Sequence, residues 1–285
     1  MSKDKIMKDL QRLLATQDFK DENEMNDFLK KYQNESIPEF PEEVLSEKEK
    51  AEDLVYEAYN LSKTKGIKLA QQSLEIDPDC ILAYQYLGEH QNNPNNAKVY
   101  FKKGVEIGKK KFGGAFEKEN AGHFWLIFET RPYMSCLSSL SQCEYLSGDV
   151  KKAIEILEFM LHLNPGDNQG VRYVLSTYLL ESQRYDSFEK HIADHGEDGG
   201  IFFVYNKALY EYIRGKNSLK ATHLLSKAIA HNPYVIKQLQ SKTKKVSNSY
   251  TIGSKEEAQF YCEYNTKLWK ETEGAIEWLK SIKSK

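Results

Sequence analysis

The sequence predicts an all-α fold, a helical solenoid of about five stacked helix pairs with helical caps. Three observations predict it. Apolar residues recur at helical spacing in the terminal segments and along the middle of the chain. Landmark residues repeat at a fixed offset. Glycine and proline, 16 and 7 in 285 residues, are too few for an all-β chain of this size.

The offset defines the helix pairs. Ala153, Leu157, Met160 and Pro165 in KKAIEILEFMLHLNP return 68 positions later as Ala221, Leu225, Ala228 and Pro233 in LKATHLLSKAIAHNP. That is two periods of about 34, the length of a tetratricopeptide repeat. Small residues at these sites let paired helices approach, bulky ones fill the gaps, and the proline ends the second helix. The copy between them places Val171, Val174 and Tyr178 on its first helix. Its second helix has Ser187 and His191 at the small and bulky sites, with Phe188 and Ile192 pointing to a drift of one residue. Upstream, KGIKLAQQSLEIDP ends at Pro78 and has Gly66, Ala70 and Ser73 at the small sites. The unit after it carries Leu87, Gly88, Ala97, Phe101 and Gly104 around a shortened NNPNN turn. The repeats therefore span roughly 47–79, 80–108, 134–167, 168–200 and 201–235.

The ends read differently. Residues 1–34 hold two short helices, with Leu10, Leu13 and Leu14, then Met25, Phe28 and Leu29, at helical spacing. Residues 35–46 form a linker with Pro38 and Pro41, and Ser46 with Glu49 makes a capping box that opens the solenoid, 47–235. Residues 236–285 are capping helices, with a second box at Ser254 and Glu257 and a cap at Thr272 for the last helix.

One stretch breaks the period. Residues 109–133 carry Gly113, Gly114 and a dense set of aromatics, Phe112, Phe116, Phe124, Trp125, Phe128 and Tyr133. Two readings stand: the aromatics fill a joint where regular stacking fails, or His123, Trp125, Glu129 and Arg131 line a site beside the inner face.

This insert also carries a resemblance. AGHFWLIFETRPYMSCLSSLSQC together with LHLNPGDNQGVRYVLSTYLL resembles a family of bacterial tetratricopeptide-repeat proteins related to the eukaryotic suppressor-of-tumorigenicity proteins. Its GHFW-x-x-x-ETRPYM core stands at Gly122–Trp125 and Glu129–Met134. Its LNP-x-DNQG-x-RY core stands at Leu163–Pro165, Asp167–Gly170 and Arg172–Tyr173. Shorter likenesses, such as QDFKDENEMNDFL and GSKEEAQFYCEY, extend it over nearly the whole chain. The resemblance implies architecture and no enzymatic activity. The membrane association of the eukaryotic relatives is not carried over, because their apolar segments are missing here.

Composition narrows the function. Forty basic residues against 42 acidic ones give a net charge of −2, which argues against nucleic acid and anionic membranes as partners. The lysine run Lys237, Lys242, Lys244 and Lys245 reads as a solvated loop, with nucleic-acid association as its alternative. No apolar stretch is long enough to span a bilayer, and charges interrupt the N-terminus too early for a signal peptide. Cys80, Cys136, Cys143 and Cys262 form no C-x-x-C pair and read as reduced thiols in a cytoplasm. No catalytic motif, cofactor loop or metal set is expected, and the His191–His195 pair lacks further ligands.

The expected function is thus non-enzymatic: a protein-protein interaction scaffold holding a peptide or protein segment of unknown identity in a concave groove. First-helix positions assign Gln142, Tyr145, Gln169, Arg172, Asn206 and Tyr210 to that groove. Gln and Asn can bond a peptide backbone, Arg a carboxylate, and Tyr adds amphipathic area. Alternatively Gln169 and Arg172 hold the insert in place through Glu129, or Arg172 joins His123, Glu129 and Arg131 in a small-ligand or enzymatic site.

Overall fold

A computed structural model describes residues 3–32, 37–38, 40, 42–195, 198–241 and 249–282. It shows the expected all-α, solenoid-like architecture: among the described residues there are sixteen α-helices and no strand. The chain divides into two compact units, Met1–Ser147 and Gly148–Lys285, a boundary that falls inside the third expected repeat.

The first unit begins with α1 (Lys3–Ala15) and α2 (Glu22–Lys31). Charge holds α1 on α3 (Glu47–Ala58). Arg12 bonds Asp9, Glu49 and Asp53 at 2.9–3.1 Å, Lys5 bridges Asp9 and Asp53, and Lys8 pairs with Glu52. The capping box at Ser46 and Glu49 is formed in both directions. Next come α4 (Lys63–Ile76), α5 (Ile81–Glu89) and α6 (Pro94–Phe112). Helix α3 packs on α4, α5 packs on α6, and both α5 and α6 pack on α8 (Arg131–Leu146). Gly104 and Gly108, one turn apart on α6, lie against Cys136 and Tyr133 of α8, where a Cβ would collide with either side chain. These two glycines set how closely the helices approach.

The insert is more ordered than a break in periodicity suggests. Helix α6 runs on through Phe112, and α7 (Ala115–Asn120) follows, entered through Gly114 at φ +63°. Two 3₁₀ turns, Phe124–Leu126 and Phe128–Thr130, lead into α8. Phe112, Phe116, Phe124 and Tyr133 form one aromatic cluster with centroids 5.3–6.5 Å apart. Fully buried Thr130 donates its hydroxyl to the carbonyls of Phe124 and Ile127, which closes the turns.

The second unit contains α9 (Val150–Leu163), α10 (Val171–Glu181), α11 (Tyr185–Asp194), α12 (Ile201–Gly215) and α13 (Leu219–His231). After them come α14 (Tyr234–Leu239), α15 (Lys255–Glu271) and α16 (Ala275–Ser281). Helix α10 packs on α9, α11 and α12; α12 packs on α13; α15 lies on α10, α12 and α14. In α11 it is Phe188 and His191 that are buried, while Ser187 and Ile192 are half-buried. Ser254 caps α15 by accepting from Glu257 N–H at 3.1 Å. The Glu257 carboxylate turns instead to Gly253 N–H and the Asn232 amide, so the second box closes on one side only. Thr272 ends α15, donating to Leu268 O, and Gly274 at φ +73° opens α16.

All four cysteines are free and buried. No described helix is long and apolar enough to cross a membrane.

Candidate functional site

In the first unit α3, α5 and α8 enclose a cavity of about 280 Å³ with the insert as its fourth wall. Tyr56 and Tyr59 come from the end of α3 and Leu82 and Gln85 from α5. Arg131, Pro132 and Ser135 come from the first turns of α8, and Trp125 and Phe128 from the 3₁₀ turns. Glu89 fixes two of these groups: Tyr59 Oη donates to it at 2.9 Å and Gln85 Nε2 at 2.8 Å. Burial and the Glu89 carboxylate both push the Tyr59 phenol pKa up, so it stays a neutral donor.

Among the described residues Arg131 is the only charged one lining this cavity. Its Nε donates to Trp125 O at 3.1 Å, and its guanidinium lies 5.6 Å from the Trp125 ring centre and 5.1 Å from that of Phe128. Among the described residues its two terminal nitrogens have no hydrogen-bond partner. Of the four insert residues singled out by sequence, the structure thus brings Trp125 and Arg131 to the cavity. His123 is exposed beside the first 3₁₀ turn. Glu129 is exposed and bonds Lys48 at 2.8 Å, a contact that holds its carboxyl below the usual range.

The groove residues are dispersed. On α8, Gln142 is exposed and Tyr145 half-buried. In the second unit Arg172 serves as a clasp. It donates to Asp167 Oδ2 and Asp198 Oδ2, both at 2.8 Å, and stacks 4.3 Å from the Tyr173 ring centre, bonding its hydroxyl at 2.8 Å. Buried Asp167, at φ +45°, also accepts from the N–H groups of Val171 and Arg172 at the start of α10. The DNQGVRY text therefore builds a helix start and ties it to Asp198. Arg172 has its partners in this clasp, and Glu129 has Lys48 in the first unit. Gln169, in the same loop, is half-buried.

Asn206 requires a correction. It is fully buried, not groove-lining. Its amide donates to Ser176 at 2.9 Å and Thr177 at 3.2 Å, and its carbonyl accepts from Tyr261 Oη at 3.0 Å. Thr177 donates in turn to Asn265, and Trp269 Nε1 to Tyr261 Oη at 2.7 Å. Helix α15 lies on α10 and α12 and supplies these partners, so the polar inner face of this unit is satisfied by its own chain. Tyr210 is likewise buried and donates to Glu189, which also takes Arg214 at 2.6 Å.

His191 bonds Arg172 O through Nε2 at 2.8 Å and packs against His195. Among the described residues no group of three or more His, Cys, Asp or Glu is placed to hold a metal. Lys242, Lys244 and Lys245 lie outside the described residues; Lys237 sits on α14. Sequence reasoning missed Tyr56, Tyr59, Leu82 and Gln85. The signal was there: each pair is three apart on a first helix, the spacing that brings two side chains onto one face.

Residues 146–285, just under half of the chain, match the family described as transcriptional repressor TCF25. The match is to a helical family, consistent with the all-helical part of the resemblance read from the sequence; it does not speak to the tetratricopeptide or bacterial part. Nor does the likeness support setting nucleic acid aside as a partner. No curated protein and no solved structure matches the chain.

Proposed function

We propose that the chain is a non-enzymatic interaction scaffold that captures a segment of a partner protein on the inner face of its first unit. The observation that carries this is the cavity of about 280 Å³ between α3, α5, α8 and the insert. Tyr, Trp and Arg are the side chains that dominate binding energy at protein interfaces, and all three meet there. Their positions are set by Glu89 and by the Arg131–Trp125 bond, so little ordering is left to oppose binding. The likeness of residues 146–285 to a family described as a transcriptional repressor supports a regulatory, partner-binding role over a catalytic one. Tetratricopeptide kinship and a cytoplasmic setting belong to the same reading.

The test is affinity capture from cell extract with three proteins: wild type, a Trp125→Ala, Arg131→Ala double variant, and Arg214→Ala on the second unit. Partners should be lost with the double variant alone. Identical partner sets for all three would show that this face binds nothing.

A further inference from the structure

We infer that the cavity of the first unit selects an acidic peptide, one that presents a bulky apolar side chain next to a carboxylate. The inference rests on the scaffold reading above and gives its ligand a chemistry.

The size of the recess comes first. About 280 Å³ lies just under the range of pockets that hold drug-sized molecules. One large side chain and the atoms beside it fit there; a dinucleotide does not. The walls are the rings of Tyr56, Trp125 and Phe128 with the Leu82 side chain, surfaces that favour an aromatic or aliphatic body.

Among the described residues the one charged side chain that lines the recess is a cation, Arg131. Arg12, Arg172 and Arg214 each meet a carboxylate: Asp53, Asp198 and Glu189 respectively. Arg131 meets none. Its Nε is committed to Trp125 O, which fixes the plane of the fork, and its terminal nitrogens are left without a partner among the described residues. No Asp or Glu lines the cavity, and Glu89, on α5, is taken up by Tyr59 and Gln85. An open guanidinium fork beside apolar walls pairs with a carboxylate more strongly than one in open water, because the local dielectric is lower.

A peptide fits better than a small carboxylic acid because polar groups continue beyond the recess. Ser135 lines the cavity, and Ser138 and Gln142 follow it at three and seven residues on α8, half-buried and exposed. Hydroxyl and amide groups in that row can bond successive peptide groups of an extended chain.

Isothermal titration with end-capped heptapeptides tests the inference. Their central pair is Phe-Asp, Phe-Asn or Ala-Asp, with phenylacetate as the small-molecule arm. The wild type should bind the Phe-Asp peptide, lose about tenfold with either Phe-Asn or Ala-Asp, and bind phenylacetate more weakly than the peptide. Arg131→Gln should erase the preference for Asp over Asn while keeping that for Phe over Ala, and Arg131→Lys should restore part of it. Circular dichroism melts of each variant show whether the insert stays folded. The wild-type comparison of Asp with Asn decides the matter even if a variant does not fold. Equal wild-type binding of the Asp and Asn peptides, both lost in Trp125→Ala, overturns the acidic ligand and leaves the scaffold standing. No binding of any peptide overturns both, and phenylacetate binding as tight as the Phe-Asp peptide overturns the peptide.

Discussion

The two units put polar residues on the inner faces of their first helices and treat them in opposite ways. In the first unit, Gln85 and Ser135 border a cavity, and the terminal nitrogens of Arg131 have no partner among the described residues. In the second, Ser176, Thr177 and Asn206 are fully buried and bonded to one another or to Tyr261 and Asn265 of α15. A polar side chain on such a face is a ligand contact only where no segment of the same chain reaches it. Burying these groups without partners would cost more than the bonds gain, so α15 must supply complementary hydroxyl and amide groups as well as apolar surface.

The largest expected effect separates the two faces by stability. Trp269 is fully buried on α15, bonds Tyr261, and stacks 6.3 Å from Trp278. Trp269→Ala should destabilise the second unit by about 3–5 kcal/mol. Trp125, only half-buried at the rim of a cavity, should cost less than about 1 kcal/mol as Trp125→Ala. Urea unfolding followed by near-ultraviolet circular dichroism measures both. Comparable losses would mean that the cavity is core, not a binding face.

A smaller effect tests whether the Arg172 clasp is structural. Asp167→Ala removes the acceptor for two N–H groups at the start of α10 and for the Arg172 guanidinium. The expected cost is about 2–3 kcal/mol, one lost cap plus unpaired buried donors. Peptide affinity in the first unit should not change. A loss of affinity at unchanged stability would return Arg172 to the list of ligand contacts.

The sequence made the architecture legible where a physical period exists. Ala153, Leu157 and Met160 repeat because helix pairs must mesh, and all three are buried together with Ala221, Leu225 and Ala228. The capping box at Ser46 was readable because both partners lie within four residues. The second box was half-readable, since the preference of Glu257 for Asn232 is a contact over 25 positions. Asn206 was misplaced for the same reason. Helical phase shows which face a residue takes; it does not show that Tyr261 of α15, 55 positions later, will lie on that face. Trp125 and Arg131 could be named from the dense aromatic insert. That Tyr56, Tyr59, Leu82 and Gln85 meet them depends on the packing of α3, α5 and α8.

The covers of the two units also differ, and pH gives the smallest but most specific contrast. Helix α1 is held on the first unit largely by ion pairs, whereas α15 and α16 are held by buried rings. Burial works to raise the Glu49 pKa, but hydrogen bonds from Ser46 and from Arg12 outweigh it and hold the carboxyl at about 2, below its ordinary 4.5. A depressed carboxyl pKa contributes stability that is fully present above pH 4.5 and is lost as pH falls through 4.5 toward 2. Glu49→Gln keeps a residue that can complete the capping box and removes only the charge. Discounted for partial exposure, the variant should be about 1–2 kcal/mol less stable at pH 7. That gap should shrink to about 0.4 kcal/mol or less by pH 2 and narrow in 1 M salt, where screening acts within about 3 Å. Hydrogen exchange of the α1 amides should follow the same curve, while the Trp269→Ala deficit stays level across it. A Glu49→Gln deficit constant from pH 7 to pH 2 would place the stabilisation in cap geometry, and the ionic attachment of α1 would no longer distinguish the first unit from the second.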